Sequence, residues 1–170
     1  QMCIRDSIGS DVENNSPKMG FYFGGFMQLA EGNSIQYMPQ VLFHQKGSIT
    51  NIDLLGQQYK SEAILNYIDL GINAHFHIND EFALVVGPYF GYLASAVEKE
   101  ETPSGNQSQT VSDWDGWNRS EFGANLGANY QINDLFKVNI HYGLSFTDIL
   151  EETSIRNTSI QLGVGYIFSY

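Results

Sequence analysis

Hydrophobic and polar residues alternate one by one over long stretches of this chain, most regularly at its end. Between Ser159 and Tyr170, the residues Ile160, Leu162, Val164, Tyr166, Phe168 and Tyr170 share one face of an extended segment. Ser159, Gln161, Gly163, Gly165, Ile167 and Ser169 share the other. A period of two is the period of a β-strand, whose successive side chains point to opposite sides. The same pattern runs through 136–147 (Phe136, Val138, Ile140, Tyr142, Leu144, Phe146), 122–132 (Phe122, Ala124, Leu126, Ala128, Tyr130, Ile132) and 67–78 (Ile68, Leu70, Ile72, Ala74, Phe76, Ile78). It also runs from Phe82 to Ala96, where Pro88 predicts a local irregularity because it cannot donate to a ladder. Two further strands are predicted at about Met19 to Leu29 and Ser34 to Gly47.

The joints between these seven strands alternate in length. Glu31-Gly32-Asn33, Asn79-Asp80-Glu81 and Asn133-Asp134 are short turns. Polar stretches at about 9–18, 48–62, 98–120 and 148–157 read as long loops. Alternating short and long connections are the pattern of a transmembrane barrel with short periplasmic turns and long outer loops. Such barrels have an even strand number. The chain therefore reads as all-β: an eight-stranded antiparallel up-and-down transmembrane β-barrel, with the first strand largely missing or replaced. Gln1 to Ser7 resembles a translated adapter remnant and is read as non-native, leaving residues 8–170 as a single barrel domain.

Composition agrees. Charged residues make up 16% of the chain, against roughly 25% in soluble domains. Aromatics reach 14% and no run of about 18 apolar residues exists, so a transmembrane helix is excluded while a barrel is not. The net charge of -11 provides no basic surface for nucleic acid. One cysteine, Cys3, permits no internal disulfide. Charge also indicates which face is outside. The charged residues in the predicted strand bodies are Lys46, Asp69 and Lys137, all on the polar face. A water-facing exterior would carry many more, so the polar face of Gly, Asn, Ser, Gln and His is assigned to a narrow lumen and the oily face to lipid. Aromatics near strand ends, such as Phe82, Tyr92, Tyr130, Phe136, Tyr166 and Tyr170, would form interfacial girdles.

The order of segments resembles the small PorT-like outer-membrane β-barrel domains of Bacteroidota. The matching stretches are 19–26 (MGFYFGGF), 39–47 (PQVLFHQKG), 65–70 (LNYIDL), 86–92 (VGPYFGY) and 161–168 (QLGVGYIF), spread over residues 9–170. The resemblance implies a barrel in the bacterial outer membrane and no assigned activity. The departure is the glycine-rich first strand, which is not found.

Four sets of residues are candidates for chemistry. His75, His77 and His141 share the polar face at similar depth and would suit a metal, or simply fill the lumen. Lys46 and Asp69 form a candidate lumenal charge pair, catalytic or structural. Trp114 and Trp117 lie in the longest loop, where they would bind a partner or anchor the loop at the bilayer surface. Tyr166, Phe168 and Tyr170 are the candidate signal by which barrel-assembly machinery takes up the last strand. No Ser/His/Asp spacing recommends a hydrolase, and no cofactor is expected. Most acids fall in the long loops, among them Glu98, Glu100, Glu101, Asp113, Asp115, Glu151 and Glu152. They would form a solvated rim, or bridge to lipopolysaccharide through cations. The functional expectation is an outer-membrane barrel, not an enzyme, in contact with lipid and lipopolysaccharide. Its lumen would be filled by side chains, with a structural or loop-mediated binding role and an unnamed outer partner. A soluble lipocalin-like carrier of an apolar ligand and a subunit of an envelope or secretion assembly remain the alternatives.

Overall fold

The computed structural model describes residues 2–8, 15–29, 35–54, 57–102, 105–111, 117–149 and 156–168, through the backbone alone at 2–8, 15–18, 50–54, 57–59, 102 and 106. Nine strands are present: β1 (Met2–Ile8), β2 (Asn15–Phe26), β3 (Ile35–Leu54), β4 (Gln57–His77), β5 (Phe82–Thr102), β6 (Gly105–Thr110), β7 (Ser120–Gln131), β8 (Phe136–Asp148) and β9 (Arg156–Tyr166). Eight of them form a ring. β1 pairs with both β2 and β9, and β2–β3, β3–β4, β4–β5, β5–β7, β7–β8 and β8–β9 complete it, all antiparallel. β6 stands outside the ring and pairs with the far half of β5, from Val97–Thr110 to Thr102–Gly105.

The position of the first strand is taken by Met2–Ile8, which overlaps Gln1–Ser7, the segment read as non-native; it supplies the eighth strand of the ring. Two predicted loops prove shorter than their polarity suggested. Residues 48–54 and 57–62 continue β3 and β4, and 98–102 with 105–110 form a β5–β6 hairpin. Polar residues pair as strands here because both faces are wet, so no hydrophobic alternation marks them. At the C-terminus the ladder runs from Arg156 to Tyr166, starting three residues and ending four residues before the Ser159–Tyr170 alternation does, and Ile167 and Phe168 lie beyond it. The turn near residue 31 and Tyr170 lie outside the described residues.

The two described short turns are built alike. Asn79 Oδ1 accepts from the amides of Glu81 and Phe82 (3.0 and 2.7 Å), and Asn133 Oδ1 accepts from those of Leu135 and Phe136 (2.9 Å each). An Asn at the start of each turn thus satisfies the amides that the ladder leaves over. Pro88 also acts as expected: the β4–β5 ladder lapses between Gly71–Tyr89 and Ala74–Val86 without changing register.

Burial follows the alternation. Phe122, Leu126, Ile140, Tyr142, Ile160, Leu162 and Val164 are exposed on the outer face, whereas Asn125, Asn129, His141, Ser145 and Gln161 are buried inside. That inverts a soluble carrier and removes the support for the lipocalin-like alternative. Phe136, Tyr166 and Phe168 stack edge to face at the turn end (5.2 and 4.7 Å between centroids), as an interfacial girdle. A strand crosses a bilayer in about 9–11 residues. With 20, 21 and 21 residues, β3, β4 and β5 must continue well beyond the lipid, and with β6 they form a polar blade at the end opposite the short turns.

Candidate functional site

The lumen is organised in layers from the blade end downward. Uppermost is an apolar cap: buried Leu65, Tyr67, Leu93 and Ala96, against which Val111, Trp117 and Ile149 pack. Trp117 is therefore half-buried on this cap instead of standing free in a loop; Trp114 lies outside the described residues.

Below the cap lies a buried ionic cluster. Lys46 Nζ donates to Glu121 Oε1 at 2.7 Å and lies 3.4 Å from Asp69 Oδ2. His44 Nδ1 approaches Asp69 Oδ2 at 3.0 Å. Tyr89 donates its hydroxyl to Glu121 Oε1 at 2.6 Å, and Asn157 donates to Glu121 Oε2 at 2.6 Å. The ammonium of Lys46 also sits over the rings of Tyr67 and Tyr89, 4.4 and 5.1 Å from their centroids. The lysine and glutamate side chains are 1% and 3% exposed. Charges so far from water persist only when paired and hydrogen-bonded. The predicted Lys46–Asp69 pair is thus real, but Glu121 is its centre and holds the shorter contact. Glu121 escaped the sequence reading because the strand was started at Phe122. Stepping back by two from Gly123 places it on the lumenal face, which was the available signal. Glycines make the room: a Cβ on Gly91 would sit 2.6 Å from Asp69 Oδ1, and one on Gly123 would collide with the Tyr89 ring.

A third layer holds two of the predicted histidines. Asn129 donates its amide to His75 Nδ1 at 3.2 Å and accepts from His141 Nε2 at 2.9 Å. One amide thereby joins the two rings, while His77 is exposed at the strand end and does not join them. No three His, Cys, Asp or Glu side chains converge as a metal site among the described residues. Beneath this layer the lumen is not filled. A cavity of about 630 Å³ is lined by Tyr22, Phe26, Met38, Asn73, His75, Lys137, Asn139 and Gln161, among others.

The model for the family described as outer membrane protein beta-barrel domain matches residues 4–151. The chain belongs to this family. Its location is accordingly the bacterial outer membrane, and the blade and long connections face outward while the Asn79 and Asn133 turns face the periplasm. No curated protein matches the chain in sequence. Among solved structures it is similar to Ail, the attachment invasion locus protein of Yersinia pestis, at 12% identity and a TM-score of 0.54, covering 98% of this chain and 93% of Ail. The Ail complex with the heparin analogue sucrose octasulfate gives 15% identity and a TM-score of 0.58, covering 98% and 94%. Neisserial surface protein A gives 11% and 0.52, covering 98% and 93%. At these identities the likeness establishes the outer-membrane barrel's fold alone.

Proposed function

We propose that this outer-membrane barrel is a non-enzymatic, non-conducting scaffold whose work is done by its outer blade. The observation that carries the reading is the buried Lys46–Glu121–Asp69 cluster under its apolar cap, which spans the lumen where a solute would have to pass. At this level the side chains of an eight-stranded barrel suffice to close the bore. With passage closed, the surface left for interaction is the blade. Its outward face pairs Lys60 with Glu101 at 3.6 Å, and its inner side carries exposed Glu98 and Glu100. Together with the net charge of -11, these acids favour a cationic or neutral partner over a polyanion of the kind seen with Ail. Lipid and lipopolysaccharide surround the apolar band, and assembly through the Tyr166–Phe168 end belongs to the same proposal. So does the narrower PorT-like placement within the family, which rests on the ordered stretches from Met19 to Phe168.

Reconstitution in planar bilayers tests the reading. The folded barrel should give no stable conductance steps, and Lys46→Ala/Glu121→Ala should introduce intermittent ones. Steady steps of porin size from the unaltered chain would overturn it.

A further inference from the structure

We propose that the periplasmic half of the lumen is a binding site for a small organic anion, a carboxylate or a phosphate ester, received by Lys137 among the amides of Asn73, Asn139 and Gln161.

The contrast with the outer half motivates it. There, the lumenal cation sits on carboxylates; here Lys137, also part of the barrel interior, donates among the described residues only to Met38 Sδ at 3.6 Å and lies 3.7 Å from the Phe26 ring centroid. A thioether and a ring face offset part of the cost of an enclosed ammonium, far less than an anion would. No Asp or Glu occurs among the described residues lining the 630 Å³ cavity, so Lys137 is the fixed charge they supply. Lys137 also borders a smaller recess by the mouth, where Asp80 and Glu81 are exposed and Glu81 is engaged by the Tyr130 hydroxyl at 2.9 Å.

The remaining lining suits the organic part of such a ligand. Asn73 borders the cavity and is almost wholly buried; its Oδ1, without a hydrogen-bond partner among the described residues, is closed off against Gly87, so the amide group and not this oxygen is what the cavity meets. Asn139 and Gln161 add amides, and Met38 and Phe26 an apolar wall. Gly165 keeps the lysine in place: a Cβ there would press on Lys137 Cγ and Cε at 3.0 Å. The volume admits a ligand of metabolite size and the opening faces the periplasm.

The test uses the full chain folded in phosphate-free maltoside micelles, with its methionine methyls labelled for NMR. Met38 is buried at the cavity wall, whereas Met19 lies exposed on the outer face. Titration with glycerol 3-phosphate and with succinate should move Met38 saturably and leave Met19 still. Lys137→Gln and Lys137→Met should weaken binding about tenfold or more, since a hydrogen bond to a charged group is lost. Lys60→Gln on the blade, which changes the net charge equally, should not. A second arm dopes the micelles with phosphatidylglycerol: shifts there alone would identify a lipid headgroup as the source, and shifts with the soluble compounds a free metabolite. Absence of saturable shifts in both arms, or shifts that survive in both Lys137 variants while their heat-modifiable gel bands show a folded barrel, would overturn the proposal.

Discussion

Glu121→Ala is the perturbation that most directly interrogates the ionic cluster. It removes the 2.7 Å contact to Lys46 and leaves that ammonium with Asp69 at 3.4 Å. It also deprives the Tyr89 hydroxyl and the Asn157 amide of their acceptor. Breaking a buried pair from one side costs about 3–5 kcal/mol, because the surviving charge stays enclosed. Glu121→Gln keeps the shape and exchanges charged for neutral hydrogen bonds, a loss of roughly 1–2 kcal/mol. Lys46→Met alone strands two carboxylates and should cost about as much as Glu121→Ala. The double variant Lys46→Met/Glu121→Ala should cost about 2 kcal/mol less than the sum of its parts, since neither charge is then left facing a gap. Urea titration of the barrel in lipid vesicles measures this, with Trp117 fluorescence reporting the cap beside the cluster and gel mobility reporting the barrel. Single costs under about 1 kcal/mol, or costs additive within about 0.5 kcal/mol, would refute the claim that the two residues act as one buried unit.

Three further outcomes follow from the geometry. A Cβ on Gly87 would collide with the Ile72 carbonyl and one on Gly25 would meet nothing, so Gly87→Ala should lower the midpoint of unfolding in urea while Gly25→Ala leaves it nearly unchanged. Asn129→Leu should cost about 2–4 kcal/mol by orphaning His75 and His141 together, read by the same titration, with no change expected on adding zinc or a chelator. Ile140→Lys, at a 52% exposed position on the outer face, should destabilise the barrel by about 2–4 kcal/mol in lipid if that face meets hydrocarbon, whereas no loss would deny the membrane orientation.

The lipid-crossing half of the fold was legible because each strand there has one oily and one polar face, and period two survives any twist or tilt. Pro88 and the Asn79 and Asn133 turns were legible for local reasons, each residue acting on its own neighbours. The blade was not. Residues 98–110 are polar on both sides, and 48–62 scatter Ile49, Ile52, Leu54 and Leu55 over both alternating positions, so neither stretch carries a periodic trace. The site divided in the same way. Lys46 and Asp69 stand out as charges inside oily strands, but Glu121 falls between the loop that ends at 120 and the alternation that starts at Phe122, and belongs to neither pattern. That His75 and His141 meet on Asn129 depends on register across four strands, which a single strand's pattern does not carry. Trp117 was taken for a surface residue because its sequence surroundings are polar, whereas its spatial neighbours are Leu65 and Leu93.

The ring's closure has a consequence for how it must form. Every other seam joins strands close in the chain, and β3–β4 alone zips through 20 successive pairs from one hairpin. The β1–β9 seam joins residues 2–8 to 156–162 through seven pairs, with four more between β1 and β2. Loop-closure entropy grows with separation, so such a contact is made last, after the hairpins have already committed their registers. The same seam, the most distant in sequence and held by a strand with few partners on either side, is where the finished cylinder should breathe first, and amide exchange in β1 should outpace that in the middle of β3 and β4.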